Sequence, residues 1–206
     1  ALNGENSLLS NNIKLNMKDQ KIENKIINWY DINKRVLPWR KNLSQKKKQY
    51  YTLVSEFMLQ QTQVATVIPF FKRFIKNIPD LEALANFDNH KLIKLWEGLG
   101  YYSRVRNLKK TAQIVVKNFD KKLPRKYLDL KSLPGIGDYT ASAISAIAFN
   151  KRIIPLDGNI ERVLKRYLYL KKENEINKEN LIKKKKIFGY SNRASDYAQA
   201  LMELGA

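Results

Sequence analysis

Two carboxylates occupy positions at which acid–base chemistry is possible. Glu56 lies within a predicted apolar helix, and Asp157 lies at the predicted start of another. Apolar residues at positions 53, 54, 57 and 58 form one helix face, while Gln60 and Gln63 are predicted to line up with Glu56 on a second face. A carboxylate on such a helix is either solvated or held at a cleft. Asp157 is either a simple helix cap or a carboxylate that the helix N-terminus keeps ionised.

The stretch Leu133–Ala141, LPGIGDYTA, predicts a tight turn between two helices, because its proline ends the first one. Gly135 and Gly137 permit positive φ and leave backbone N–H groups uncovered. Asp138 or Thr140 is suited to cap the second helix. Uncovered N–H groups at a helix start bind anions, so one interpretation is a phosphate site. The other is a plain helix–helix turn, which many all-α proteins contain.

Charge indicates a polyanionic partner. The 206 residues carry 39 Lys and Arg against 19 Asp and Glu, a net charge of +20. The abundance of Lys, Asn and Ile is also typical of an AT-rich genome, which would account for part of this basicity. Because the chain has no Cys and a single His, it offers no thiolate metal site or cysteine nucleophile, and a histidine-based zinc site or triad is disfavoured.

Helical periodicity covers most of the chain and almost no stretch alternates with period two, so the predicted class is all-α. Residues 1–16 are polar and aperiodic, and we expect a disordered leader there. Helices are predicted at 18–35, 50–62, 64–77, 80–87, 89–96, 103–119, 125–132, 139–149, 160–170 and 192–204, with a basic loop at 41–49. Arg104, Arg106, Lys109 and Lys110 line the polar side of one helix, as a solvated face or as phosphate contacts.

Five motifs in unbroken order resemble those of the helix-hairpin-helix DNA glycosylases, the superfamily that includes endonuclease III. More narrowly, they resemble its adenine-removing, MutY-type branch. The motifs are Leu37–Arg40 (LPWR), Ser55–Val64 (SEFMLQQTQV), Trp96–Arg104 (WEGLGYYSR), Leu133–Ala141 (LPGIGDYTA) and Leu156–Asn159 (LDGN). Each is weak alone, and together they cover 17–206. The resemblance implies two helical lobes with the active-site cleft between them, 45–150 carrying the hairpin and 17–44 with 151–206 forming the second.

The resemblance implies base excision by hydrolysis of the N-glycosidic bond of adenine. Such cleavage needs an acid on one side and a fixed negative charge on the other. By resemblance, Glu56 protonates the adenine ring and then helps to activate water, and its apolar neighbours are predicted to raise its pKa toward neutrality. Asp157 would stay charged and stabilise the oxocarbenium ion or bond to it transiently. Tyr139 and Asn159 match supporting positions near these carboxylates.

The implied partner is double-stranded DNA with adenine opposite 8-oxoguanine or guanine, from which the adenine is extruded. The residues that match positions contacting the opposite base or the adenine pocket are Gln61, Thr62, Leu99, Tyr101 and Arg40. For Leu99 and Tyr101, packing within their own turn is the alternative. The hairpin backbone would hold a DNA phosphate, often through a monovalent cation in this superfamily, at Gly135, Ile136 and Gly137.

Tyr139 occupies the position where endonuclease III-like enzymes place a nucleophilic lysine. A phenol forms no Schiff base, so the resemblance implies a monofunctional glycosylase with at most trace lyase activity from Lys131 or Lys151. Two alternatives stay open. One is a bifunctional pyrimidine glycosylase/lyase of the same fold, and the other is a catalytically impaired DNA-binding fragment.

One departure concerns the cofactor. In the family, a four-cysteine [4Fe–4S] loop and then an 8-oxoguanine-recognition domain follow the segment that matches Leu204–Ala206, whereas this chain has no Cys. We therefore expect a fragment of a longer gene product rather than a reduced form without the cluster.

No apolar run reaches the roughly 18 residues of a membrane span. A monomeric, cytoplasmic, nucleoid-associated bacterial protein without a membrane partner is the expectation.

Overall fold

The computed structural model describes residues 22–41, 43–170 and 176–206, and every regular element in these ranges is helical. The all-α prediction is therefore confirmed. The predicted disordered leader, 1–16, lies outside the described residues. Within the described ranges, no helix combines the length and apolarity that crossing a lipid bilayer requires.

Eleven helices are used below to locate the site. They are α1 (22–33), α2 (Gln45–Leu59), α3 (Val64–Asn77), α4 (Leu81–Asn86), α5 (Asn89–Trp96), α6 (Ser103–Asn118), α7 (Tyr127–Lys131), α8 (Asp138–Phe149), α9 (Gly158–Tyr167), α10 (Lys178–Lys184) and α11 (Ala194–Leu204). Short 3₁₀ turns span Pro38–Arg40 and Lys185–Phe188.

Helix α2 begins and ends earlier than its sequence pattern indicates. The basic loop predicted at 41–49 is wrong beyond Ser44, because the Ser44 hydroxyl accepts a hydrogen bond from the Lys47 N–H and caps the helix. The Gln45 amide then donates to the Ala148 carbonyl at 2.6 Å, which holds the first turn of α2 against α8. The helix stops at Leu59 rather than at residue 62.

The chain divides into two compact units, each described by itself. The contiguous unit is Arg35–Phe149, so the Leu37–Arg40 motif belongs to it. Helix α2 forms its centre and packs against α3, α6 and α8, while α4 packs on α6. Seven of eight successive residues of α2 before Leu59 are buried in this core, and large side chains such as Phe57, Phe74 and Trp96 fill it. Full burial of each such side chain contributes about 1.5–3 kcal/mol.

The split unit comprises Asn150–Ala206 and the described part of residues 1–34. Helix α9 lies against α10 and α11, and Ile160 and Leu164 face a core that includes Ile27 of α1. Arg193 donates from both terminal nitrogens to the Asp31 carboxylate at 2.7 Å, a bidentate pair that joins α1 to the start of α11. The structure therefore packs α1 into the same core as α9, the helix that Asp157 precedes.

Candidate active site

Glu56 lies on α2 and is only 6% exposed. The alternative that it is a solvated surface residue is therefore wrong. Burying an ionisable carboxyl in a core helix costs free energy, which an apolar residue at this position would not. The predicted effect of this environment on its pKa stays a prediction. What the structure adds is that Glu56 sits one turn before the end of the helix.

Gln60 connects the end of α2 to the glycine turn. Its side-chain amide donates to the Gly135 carbonyl at 3.3 Å and lies 3.5 Å from the Thr140 hydroxyl. The expectation that Glu56, Gln60 and Gln63 share one helix face is wrong, because α2 has ended before Gln63, which occupies the N-cap position of α3. Gln60 instead provides a hydrogen bond between the end of the helix that carries Glu56 and the hairpin.

The glycine turn connects α7 to α8, and its two glycines differ. Gly135 has φ +76°, and a Cβ there would lie 2.9 Å from both Phe57 and Asn107 side chains. Gly137 has no positive φ and open space around it, so of the two glycines that permit positive φ only Gly135 uses it. Close approach to Phe57 is thus the reason for glycine at 135.

The backbone N–H groups of the turn also differ in availability. Ile136 donates its N–H to the Leu133 carbonyl at 3.1 Å and buries its side chain, so it anchors the turn. Gly135 and Gly137 are exposed, and their N–H groups donate to no residue in the described ranges. An anion at this turn would therefore be bound by the two glycines rather than by Ile136.

Asp138 is the first residue of α8 rather than a cap ahead of it, which corrects the predicted capping role of Asp138 or Thr140. The Asp138 carboxylate accepts from Lys131 Nζ at 2.6 Å and from the Tyr127 hydroxyl at 2.8 Å. The hydrogen bond to Asp138 raises the pKa of the Lys131 ammonium. The ion pair with Asp138 thus favours the protonated form of Lys131, which is not nucleophilic. Tyr139, the next residue of α8, is half-buried.

Two turns carry the residues predicted to contact the opposite base. The α2–α3 turn, Gln60–Gln63, exposes Gln61 in the left-handed region at φ +57°. The α5–α6 turn, Glu97–Tyr102, exposes Tyr101 by 63% at φ +47°. Leu99 in the same turn is only 6% exposed and belongs to the core, the packing role that was its alternative.

Arg104, at the start of α6, corrects the sequence interpretation most clearly. It was grouped with exposed cations, yet it is only 6% exposed. Its guanidinium donates to carbonyls of both turns and to the Thr62 hydroxyl. Spacing on α6 could not reveal this, because the acceptors lie on α2 and on the two turns. The one indication in the sequence that Arg104 differs from its neighbours was its place as the last residue of the WEGLGYYSR motif.

In the split unit, Asp157 caps α9. Its Oδ1 accepts from the Ile160 N–H at 2.7 Å, and its Oδ2 accepts from the Asn159 amide at 3.2 Å. Burial raises the pKa of the Asp157 carboxyl above its ordinary value, and the hydrogen bonds from Ile160 and Asn159 oppose that shift. The carboxylate is therefore oriented by two donors in a partly desolvated place.

The end of α11 lies directly against this carboxylate's turn. A Cβ on Gly205 would come 2.3 Å from the Asn159 carbonyl oxygen, so no side chain fits there without movement. Arg162 donates to the Gly205 carbonyl and to the Asn159 side-chain oxygen. Gly205, Arg162 and Asn159 thus form a connected support for Asp157.

Arg40 ends the 3₁₀ turn Pro38–Arg40 of the contiguous unit and is half-buried. Its N–H donates to the Leu37 carbonyl at 3.0 Å, and its neighbour Trp39 stacks edge-on against Phe71 of α3 at 5.1 Å. The motif is therefore a compact turn docked on α3. Trp39 packs against the core that contains α2, and the turn itself contacts α2 and α3.

The residues present do not fit an iron–sulfur cluster. Such clusters are held by cysteine thiolates, and the chain has no Cys.

A monovalent cation would need carbonyl oxygens at the hairpin. Those of Leu133, Pro134 and Gly135 each accept a hydrogen bond, and a carbonyl oxygen has two lone pairs. These carbonyls are the candidate ligands.

Helices α7 and α8 with their glycine turn, among described residues whose regular elements are all helical, are typical of the class of helix-hairpin-helix proteins. Among solved structures, one described as a thermostable thymine-DNA glycosylase superposes with a TM-score of 0.75 at 23% identity, covering 93% of this chain and 87% of that one. That similarity shows the fold.

The family follows from sequence. Residues 54–187 match the model of the HhH-GPD superfamily base excision DNA repair proteins, and the chain belongs to this family. It is 41% identical over 182 residues to the adenine DNA glycosylase of Buchnera aphidicola subsp. Baizongia pistaciae, covering 88% of this chain and 51% of that protein. The enzyme of subsp. Schizaphis graminum is 44% identical over 143 residues, 69% and 40% of the two chains. The chain therefore spans about half the length, or less, of these relatives.

Proposed function

We propose that this chain is the catalytic core of a monofunctional adenine DNA glycosylase that removes adenine mispaired with 8-oxoguanine or guanine from duplex DNA. The observation that carries the proposal is the buried Glu56 on a core helix that Gln60 joins to the hairpin. Membership of a base excision repair family and similarity to adenine DNA glycosylases support it.

In the proposed reaction, Glu56 donates its proton to a ring nitrogen of the extruded adenine. The bond between the sugar C1′ and N9 breaks, and its electron pair leaves with the base. Water then adds to C1′, and its proton returns to the Glu56 carboxylate. The products are free adenine and an abasic sugar, and the enzyme is regenerated.

Asp157 would stabilise the sugar cation by its negative charge, or bond to it transiently. This role requires the ionised carboxyl, and the donors Ile160 and Asn159 favour that form. Tyr139 would support the carboxylates and, as a phenol, would form no Schiff base. Lys131, whose pKa is raised by Asp138, would contribute little lyase activity.

The remaining residues would bind the substrate. Tyr101 is exposed in its turn and suited to stack beside the opposite base, with Gln61 and Thr62 contacting that base from the neighbouring turn. Leu99 would have to leave the core to insert, so we assign it a packing role within the turn. Arg40 would lie near the adenine pocket.

The hairpin would bind a DNA phosphate through the N–H groups of Gly135 and Gly137, with Ile136 as the buried anchor. A monovalent cation on the hairpin carbonyls is part of the same proposal. Phosphate contacts of this kind position the enzyme on DNA and carry no sequence information.

Single-turnover release of adenine from a duplex with adenine opposite 8-oxoguanine tests the proposal. Glu56→Gln keeps the shape of the side chain but removes the acid, and we expect the rate to fall by roughly 10²- to 10⁴-fold. Glu179→Gln, an exposed carboxylate of α10 paired with Lys183, is the matched control and should leave the rate unchanged. A wild-type rate no faster than that of Glu56→Gln would favour the DNA-binding fragment instead.

Borohydride trapping on abasic DNA separates the proposal from the bifunctional alternative. A lysine Schiff base would be reduced to a stable covalent adduct. We expect almost no adduct with the wild-type chain, and less still with Lys131→Gln. An abundant adduct in the wild type would contradict the monofunctional assignment.

A further inference from the structure

We propose that Arg104 is a positioning residue that joins the α2–α3 turn and the α5–α6 turn into one rigid unit, and that this unit determines how the protein distinguishes the base opposite the extruded adenine. The first half concerns the structure of the chain alone. The second half rests on the proposed function.

The contacts of Arg104 reach both turns from one guanidinium. Nη1 faces the carbonyls of Met58, at 2.8 Å, and of Gln60, together with the Thr62 hydroxyl at 3.1 Å. Nη2 faces the carbonyls of Leu99, at 2.8 Å, and Gly100, at 3.2 Å. Each of the two terminal nitrogens therefore bonds a different turn. The distance between the turns thus depends on a planar group of fixed size.

The location of the charge explains why it can be buried. Arg104 forms no ion pair with any carboxylate in the described ranges. It sits where α2 ends, and the last carbonyls of a helix have no partner within the helix and carry partial negative charge. Burial lowers the pKa of the guanidinium, yet an arginine stays protonated at physiological pH. The cation thus caps α2 from outside that helix.

Aromatic contacts extend the unit to the exposed face. The guanidinium carbon lies 5.6 Å from the ring centre of Trp96, which is fully buried, and 5.5 Å from that of Tyr101, which is exposed. Cation–π attraction at this distance contributes to holding both rings. Arg104 therefore links a core tryptophan to the aromatic side chain that is suited to stack on DNA.

The backbone of both turns needs such support. Gln61 and Tyr101 are non-glycine residues with positive φ, at +57° and +47°, and Gly98 and Gly100 also lie in that region. For the two non-glycine residues such backbone costs about 1–3 kcal/mol each and persists only where surrounding contacts impose it. The carbonyls of Gln60 and Gly100, each next to one of these residues, are both bonded to Arg104.

The test compares Arg104→Met, Arg104→Lys and Arg106→Met. Methionine fills similar space without donors, whereas lysine keeps the charge but has one terminal nitrogen instead of two. Arg106 is on the same helix two residues later and is exposed, so it is the matched control for loss of charge. Amide hydrogen exchange is measured for peptides from both turns and, as references, for α3 and α8.

We expect Arg104→Met to exchange at least about tenfold faster in both turns, with α3 and α8 unchanged. In Arg104→Lys, amide exchange should become faster in one turn than in the other, because an ammonium cannot bond both sets of carbonyls in the same geometry. Arg106→Met should exchange as the wild type does. Exchange that stays slow in both turns of Arg104→Met, or rises in only one, overturns the proposed joint unit. If Arg104→Met does not fold, equally slow exchange of both turns in Arg104→Lys overturns it.

The second half is measured as the ratio of dissociation constants for duplexes with adenine opposite 8-oxoguanine and opposite guanine. Arg104→Met should bring this ratio closer to one, while Arg106→Met should weaken binding to both duplexes by a similar factor. An unchanged ratio in Arg104→Met with faster exchange in both turns refutes the specificity role. Absence of adenine release by the wild type would refute the proposed function, yet the exchange result would still decide whether Arg104 joins the turns.

Discussion

Asp157 combines two opposing demands in one carboxyl. As a cap it satisfies the Ile160 N–H, and in the proposed reaction it must remain ionised beside a sugar cation. Burial raises its pKa, and the donors Ile160 and Asn159 hold that rise in check. A carboxylate that is destabilised by burial gains more from a nearby positive charge than a solvated one does. Capping and catalysis are thus compatible functions of the same geometry.

Asp157→Asn separates stability from activity. Asparagine caps helices about as well as aspartate, so the variant keeps the acceptor for the Ile160 N–H but loses the buried charge and the acceptor for the Asn159 amide. Because the folded-state pKa of Asp157 is raised above the unfolded value, the wild type loses stability relative to the variant as pH rises from about 3.8 through the folded pKa. Urea unfolding at several pH values measures this difference.

Between about pH 4 and about pH 7, Asp157→Asn should therefore gain stability relative to the wild type, and adenine release should fall on the order of 10²-fold or more. A variant that is destabilised relative to the wild type as pH rises from 4 to about 7 would show that the charge stabilises the fold. In that case burial is not the dominant influence on the pKa of the Asp157 carboxyl.

At the scale of elements, α2 and the hairpin are one assembly. Gln60 bonds the Gly135 carbonyl, and the Phe57 ring packs against Gly135. From the other side, the Thr111 hydroxyl of α6 donates to the Pro134 carbonyl at 3.0 Å. The turn that would bind phosphate is therefore built onto the helix that carries Glu56, so binding at one would fix the position of the other.

Gly135→Ala and Gly137→Ala make a matched pair in this turn. Alanine at 135 must adopt φ +76° with its Cβ 2.9 Å from the Phe57 ring, whereas alanine at 137 meets nothing within 4 Å. We expect Gly135→Ala to lower the free energy of unfolding by about 1–3 kcal/mol and Gly137→Ala to leave it nearly unchanged. Urea denaturation measures both. Equal losses would mean that the close approach of the turn to α2 is not required.

The whole molecule is dominated by its charge of +20. Neutralising DNA phosphates releases condensed counterions, so affinity falls steeply with salt whatever the base sequence. Arg104 is excluded from this contribution because it is buried, whereas Arg106 and Lys110 are exposed on the same helix. In the proposed function, steering of DNA by the general field and discrimination of bases at the turns would thus be carried by different side chains.

The salt dependence of DNA binding measures this division. The logarithm of the association constant should fall linearly with the logarithm of salt concentration, with a slope that corresponds to several phosphates. Arg106→Met or Lys110→Met should reduce the slope by about one where that side chain contacts a phosphate. Arg104→Met should leave the slope unchanged. A weak salt dependence in the wild type would indicate that the basicity reflects composition rather than DNA binding.

The sequence by itself determined the helical class, the exact span of α3 and the family. Helical periodicity and capping residues such as Asp80 are local signals, and the motif order was visible without any structure. It also identified Asp157 as a residue at a helix start, because a cap acts on the N–H groups just after it.

Only the tertiary structure decided which side chains are buried. Arg104 and Arg106 are both arginines on the polar side of α6, but the acceptors of Arg104 Nη1 lie 42 to 47 positions earlier in the chain. Leu99 likewise packs into the core while Tyr101, two residues on, is exposed. Spacing along one helix carries no information about such partners, since they exist only after α2, α6 and their turns have packed together.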